Sequence, residues 1–178
     1  MEDYTEKNTV EIINNEIYFY ADIDRDSLLD LKEKVYEVRK EDHSKTISIH
    51  LNTSGGKCTD GLEAYDFIKR IYNKVYIYLE GYVASMGTII ACAGDKIIMS
   101  KNAIYMLHDI NYSVQGTHNE VKDRVEMNNK ITENMYNIYS EKTGLSLKKL
   151  KKLISRKDLY LNAQEALNYG FVDEILGG

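Results

Sequence analysis

No proline occurs among the 178 residues, so no turn carries the φ restriction its ring imposes. Cysteine is nearly as scarce. Cys58 and Cys92 are too few and too far apart for a disulfide framework or a metal cluster, and a reducing, cytoplasmic setting is expected. Four scattered histidines supply no metal-ligand spacing either. No apolar run approaches the ~18 residues that a membrane-spanning helix needs. The opening MEDYTEKNTV is acidic and lacks an apolar centre, unlike a signal peptide. Basic residues are outnumbered, 23 Lys and Arg against 28 Asp and Glu, and the formal charge of −5 argues against a nucleic-acid partner. The lysines at 148, 149, 151 and 152 are local and read as the solvated face of a helix. Neither a Gly-x-Gly-x-x-Gly nor a Walker pattern is present, so no nucleotide is expected on this chain. Internal repeats and low-complexity linkers are absent too, and residues 1–178 are expected to form one domain.

What is present is an ordinary core-forming composition, 43 % hydrophobic and 29 % charged, with 15 tyrosines. At this length a chain buries roughly two thirds of its unfolded surface and needs no staples. Several tyrosines fall in strand-like runs, as in Ile17-Tyr18-Phe19-Tyr20 and Val75-Tyr76-Ile77-Tyr78.

Short strands alternate with helical periods. Residues 1–15 form a short N-terminal segment that enters a hairpin, with strands over 10–13 and 16–20 around Asn14-Asn15. Asp26 or Ser27 can cap a helix to about Arg39, with Leu28, Leu31, Val35 and Val38 on one stripe. A strand over 47–51 precedes a helix over 60–72 that carries Leu62, Tyr65, Ile68 and Ile71. Strands over 75–79, 96–99 and 104–107 flank a short small-residue helix from Ser85 to Cys92. This alternation predicts an α/β fold with a mainly parallel central sheet. Residues 118–142 then read as one long helix of about 36 Å, longer than a small α/β domain needs. It either crosses its own sheet or projects to bury its broken stripe against a copy of itself. Asn162 to Glu165 has the capping-box pattern, and Gly170 closes the helix that follows.

Four stretches carry chemistry. Ser85 follows an apolar strand inside Gly81-Tyr82-Val83-Ala84-Ser85-Met86-Gly87, where its hydroxyl can face out of the sheet beside a helix N-terminus. Alone, such a serine commonly serves as an N-cap. A serine hydroxyl is a weak nucleophile and needs a base. His108 is the leading candidate at the end of an apolar strand, His50 is the reserve, and His43 and His118 sit in polar contexts. Among 28 acidic residues, Asp158 is favoured as orienting carboxylate because it lies at the mouth of a short strand. Asp109 adjoins His108, and adjacent strand residues face opposite ways. The loop Asn52-Thr53-Ser54-Gly55-Gly56 can present an N–H to developing charge, which makes the N–H groups of Gly56 and Met86 the candidate oxyanion hole.

These stretches resemble the ClpP family, the proteolytic subunits of the Clp machines. Asn52 to Gly56 resembles the family's Asn-Ser-Pro-Gly-Gly, Gly81 to Gly87 its nucleophile motif, and Asn102 to His108 its histidine motif. Lys157 to Ala166, continuing from Tyr169 to Asp173, resembles its C-terminal signature. The resemblance implies a ClpP/crotonase-like fold with catalytic Ser85, His108 and Asp158, and a protruding handle helix over 118–142. It implies homo-oligomers, a heptameric ring or a double-ring tetradecamer with the sites inside. It also implies polypeptide substrates fed by an AAA+ unfoldase that uses ATP on a separate chain, with no cofactor on this one. The chain departs from the pattern in three places. The proline between Ser54 and Gly55 is missing, which implies a looser oxyanion loop. Lys157 stands where the family often has an arginine, a role that Arg156 could take. The segment before Glu16 is short. Alternative readings are a non-catalytic or regulatory ring subunit, a phage head-maturation protease, and acyl-CoA chemistry on the related crotonase fold.

Overall fold

The alternation of branched apolar and polar residues in the central strands places one face inward, and that face organises the computed structural model of the chain. The structure describes residues 8–41, 44–154 and 157–177. His43 and Arg156 lie outside the described residues.

The hairpin β1 (Thr9–Ile13) and β2 (Glu16–Tyr20) is antiparallel, and Asn14 and Asn15 take φ of 52° and 66° at its turn. Positive φ at both central residues suits the twist of the flanking strands. From β2 the sheet runs parallel through β3 (Ile47–Thr53), β4 (Val75–Ala84), β5 (Lys96–Ser100) and β8 (Glu174–Leu176). Two further strands, β6 (Ile104–Leu107) and β7 (Leu159–Leu161), complete the eight found among the described residues. Ile17, Phe19, Ile49, Leu51, Ile77 and Leu79 point into the core, while Tyr18, His50 and Tyr78 occupy the opposite face.

Three corrections to the sequence reading have local causes. Helix α1 (Arg25–Glu41) is capped by Asp24, not by Asp26 or Ser27. The Ser27 N–H donates to Asp24 Oδ1 and the Asp24 N–H donates to Ser27 Oγ, a reciprocal cap. Helix α2 (Cys58–Lys69) ends before Tyr72, and its buried side is Gly61, Ala64, Phe67 and Ile68, while Leu62, Tyr65 and Ile71 are only half-buried. The small residues win that face because a Cβ at Gly61 would lie 2.6 Å from Met86 Cε. Strand β4 does not stop at Leu79. It pairs Leu79 with Leu51 and then Val83 with Thr53, so the chain between them bulges, with Gly81 at φ 56°. Beyond the bulge, β4 leaves β5 and pairs with β6. The long helix α4 (His118–Thr143) starts on a Thr117–Glu120 capping box and ends on left-handed Gly144. Residues 118–134 include no buried position, whereas Met135, Tyr136, Ile138 and Tyr139 are buried, so the first half projects from the sheet.

Helix α3 (Met86–Ala91) is buried on all six residues. A helix apolar all round belongs inside a core. Burying Ile89 and Ile90 there contributes about 1.5–3 kcal/mol each. The chain closes with α5 (Leu147–Ile154), β7, α6 (Ala163–Tyr169) on its Asn162–Glu165 capping box, and β8. Among the described residues no helix is long and apolar enough to cross a membrane.

Candidate active site

The bulge in β4 swings its last three residues onto β6, and this brings Ser85 to the strand that carries His108. The Ser85 N–H donates to the Met106 carbonyl at 2.8 Å. Ser85 occupies the N-cap position of α3 yet makes no capping bond with its side chain. Its backbone takes φ 53° and ψ −123°, a conformation that costs a non-glycine residue about 1–3 kcal/mol. The hydroxyl is thereby freed from the helix, and Ser85 Oγ lies 2.6 Å from His108 Nε2.

His108 Nδ1 has no hydrogen-bond partner among the described residues. Strand β7 runs antiparallel to β6 with Leu107 opposite Leu159, and His108 and Asp158 each adjoin that last pair in sequence. The Asp158 carboxylate is exposed and accepts from the Tyr160 hydroxyl at 3.4 Å instead of from the imidazole. Burial raises the nearby Tyr82 phenol above its ordinary range, and the charges of Tyr160 and Asp158 add to this.

The glycine loop lies against Ser85 from the other side. A Cβ on Gly55, whose φ is 105°, would stand 2.6 Å from Ser85 Cβ, so only glycine permits the approach. Ile23 grips the loop: its N–H donates to the Gly55 carbonyl at 2.7 Å, and the Lys57 N–H donates to the Ile23 carbonyl at 2.8 Å. In that bridge Gly56 directs its own N–H away from Ile23. Neither the Gly56 nor the Met86 N–H donates to a backbone carbonyl among the described residues. The loop expected to be loose without proline is tied instead by Ser54 Oγ to Asp22 Oδ1 at 2.5 Å and by the Gly55 N–H to Thr53 Oγ1 at 3.1 Å.

A small cavity of about 100 Å³ opens on the pair, lined in part by Gly56, Ser85, Met86 and His108. Cys58, Ile110, Asn111 and Met135 complete much of its wall, and the sequence alone did not single out Cys58 and Met135 for it because they come from separate helices, α2 and α4. Burial pushes the Cys58 thiol up, which favours its protonated form. Asp109 also lines the cavity, but its carboxylate accepts from the Ile110 N–H.

His50 is far from this chemistry. Its ring is stacked between Tyr18 and Tyr78 at 4.2 and 4.8 Å, and its nitrogens meet Glu80 at 2.8 Å and Glu16 at 3.1 Å. His118 is exposed at the first position of α4. No group of three or more His, Cys, Asp or Glu among the described residues is arranged to hold a metal ion.

A mostly parallel α/β sheet with a strained serine at a strand-to-helix junction, hydrogen-bonded to a histidine, defines the class of serine hydrolases. Residues 4–178 match the family model described as Clp protease, nearly the whole chain, and the chain belongs to that family. It is therefore a hydrolase of a serine-peptidase family, whose members typically assemble as rings and work with AAA+ unfoldases.

Proposed function

We propose that this chain is a self-compartmentalised serine endopeptidase that cleaves unfolded proteins and short peptides through an acyl-enzyme. The observation that carries this reading is the 2.6 Å contact of Ser85 Oγ with His108 Nε2 at a backbone too strained to serve helix capping. Ser85 Oγ attacks the peptide carbonyl while His108 Nε2 takes its proton. The oxyanion that forms is stabilised by the Gly56 and Met86 N–H groups, each worth about 2.7–4 kcal/mol in such a role. His108 returns the proton to the leaving amine, and water then repeats the cycle on the acyl-enzyme. Asp158, which adjoins β7 as His108 adjoins β6, supplies the carboxylate for Nδ1 once its side chain turns from Tyr160.

The projecting half of α4 is the handle that joins two rings, and seven subunits close each ring. ATP is used by a separate AAA+ unfoldase that feeds the chamber, while short peptides enter unaided. The test is intact-mass analysis after fluorophosphonate treatment, in parallel with Ser85→Ala and with native mass determination. One adduct per chain, lost in Ser85→Ala, on a ring-sized particle is the expected result. A correctly assembled particle that takes no adduct overturns the reading.

One observation favours a second reading. The Asp158 carboxylate rests on Tyr160 and not on the imidazole, as in a regulatory ring subunit that turns over only in company with another. Turnover that appears only in mixed rings would select it.

A further inference from the structure

Beneath Ser85 lies a buried polar network that the proposed chemistry does not use. Thr88 is wholly buried on α3, and Tyr139 of α4 and Tyr105 of β6 are 2 % and 0 % exposed. A hydroxyl buried among apolar groups must find a partner, and here the partners can be read in order. Thr88 Oγ1 donates to the carbonyl of Ser85 at 2.6 Å, and the Thr88 N–H donates to the same carbonyl at 3.0 Å. A hydroxyl has one hydrogen. The 2.7 Å contact between Thr88 Oγ1 and Tyr139 therefore has Tyr139 donating. The Tyr105 hydroxyl donates to the Thr88 carbonyl at 3.1 Å, so the Cys92 thiol, 3.9 Å away, is left to donate to Tyr105.

Thr88 thus stands where three elements meet. Tyr105 lies three residues before His108, on the strand that positions the imidazole. Tyr139 lies in the buried half of the projecting helix. The backbone of Ser85 is gripped at both ends, its N–H by Met106 of β6 and its carbonyl by Thr88. Its φ of 53° and ψ of −123° are unfavourable and persist only where the surroundings impose them. The two hydrogen bonds from Thr88 restrain the ψ that aims Oγ at His108. The rings are fixed as well: Phe171 packs against Tyr105 at 5.4 Å and against Tyr139 at 5.8 Å.

We infer that Thr88 is a positioning residue for Ser85. Its hydroxyl, oriented by Tyr139, holds the strained carbonyl of the serine and so couples the projecting helix α4 to the aim of the nucleophile. This inference rests on the reading of Ser85 as nucleophile.

The test uses the assembled full chain with Thr88→Val, Thr88→Ser, Tyr139→Phe and the double variant Thr88→Val/Tyr139→Phe. It measures kcat and KM on a short fluorogenic peptide, thermal unfolding, and the ¹⁵N shift of His108 Nε2. Thr88→Val is nearly isosteric but loses the hydroxyl. It is expected to lower kcat about tenfold at unchanged KM and to shift the His108 Nε2 resonance, because a small misplacement of a reacting group is costly. Thr88→Ser keeps the hydroxyl and should restore most of the rate. Tyr139→Phe should lower kcat about threefold, and the double variant should be no slower than Thr88→Val, since Tyr139 acts through Thr88. A folded Thr88→Val protein with unaltered kcat and His108 shift overturns the inference, as do losses that multiply in the double variant. If Thr88→Val does not fold, Tyr139→Phe decides alone, and an unchanged kcat and shift overturns the coupling. Absence of peptide turnover in the parent chain would instead count against Ser85 as nucleophile. The His108 shift would then still decide whether Thr88 and Tyr139 hold the pair, and an unchanged shift overturns it.

Discussion

Two half-buried histidines sit on one sheet and are held in opposite ways. His50, in the middle of β3, is saturated: tyrosine rings cover both faces and a carboxylate meets each nitrogen. Glu80, one of those carboxylates, also accepts from the Tyr20 hydroxyl, so the cluster ties β2, β3 and β4 together. His108, just past the end of β6, makes one side-chain hydrogen bond among the described residues, with Ser85. A group satisfied on every side adds to stability and has no valence left for chemistry. A group with one partner that is itself unsatisfied can exchange a proton. The comparison also separates the reserve candidate from His108: the hydrogen bonds of His50 go to Glu80 and Glu16, and that of His108 goes to Ser85.

The largest break in that comparison is expected at Ser85. Ser85→Ala should lower peptide turnover by about 10⁴-fold or more, and adding His108→Ala should make it little worse, because such groups act as one unit. Steady-state rates on the assembled protein check this, and a strictly multiplicative double variant would contradict it. Asp158→Asn comes next, with an expected loss of roughly 10²–10⁴-fold in kcat and little change in thermal unfolding. An unaltered rate would leave His108 working without a carboxylate.

On the other side, His50→Gln should spare catalysis and reduce stability. The loss leaves Glu16 and Glu80 facing one another with fewer partners, and partial exposure screens them, so about 1–2 kcal/mol is expected. Urea unfolding beside peptide kinetics measures both, and a fall in kcat at unchanged stability would erase the distinction between the two histidines.

The smallest effect provides an acid-side control remote from both. The backbone N–H of Ser27, with help from its side chain, holds the Asp24 carboxyl below the usual carboxylate range. A depressed folded-state value means that this contribution is present above the unfolded-state range and is lost as pH falls through the lower folded value. Asp24→Asn keeps a cap and should flatten that part of the acid unfolding profile, while Asp24→Ala should cost about 1 kcal/mol near neutral pH. An unchanged acid profile in Asp24→Asn would show that the slope arises elsewhere.

Much of the architecture was legible because its signals are local. Asn14-Asn15 marked the hairpin, Asn162 with Glu165 marked a helix start, and Gly170 marked a helix end. Local signals failed where a long-range contact outweighed them. Gly81 looks like a turn in sequence, but it serves as a bulge, because β4 changes partner from β5 to β6 there. Asp26 and Ser27 are both competent caps, and Asp24 wins through its reciprocal bond with Ser27. The stripe on α2 was misread because Gly61 and Ala64 are buried for their smallness, which no apolar period records.

By itself, the sequence determined the class of fold, the order of its elements, and which serine, histidines and aspartates were worth weighing, since these follow from periodicity, caps and residue chemistry. The sequence ranked His108 ahead of His50, and the tertiary structure added that Ser85 Oγ meets His108 Nε2 while His50 meets Glu16 and Glu80. Each is polar and borders an apolar run, and their difference lies in what neighbouring strands bring alongside. The same holds for the Thr88 network, whose members come from α3, α4 and β6. Hydrogen-bond partners across a core are set by packing in three dimensions, and residues 51 positions apart, such as Thr88 and Tyr139, leave no local trace of it.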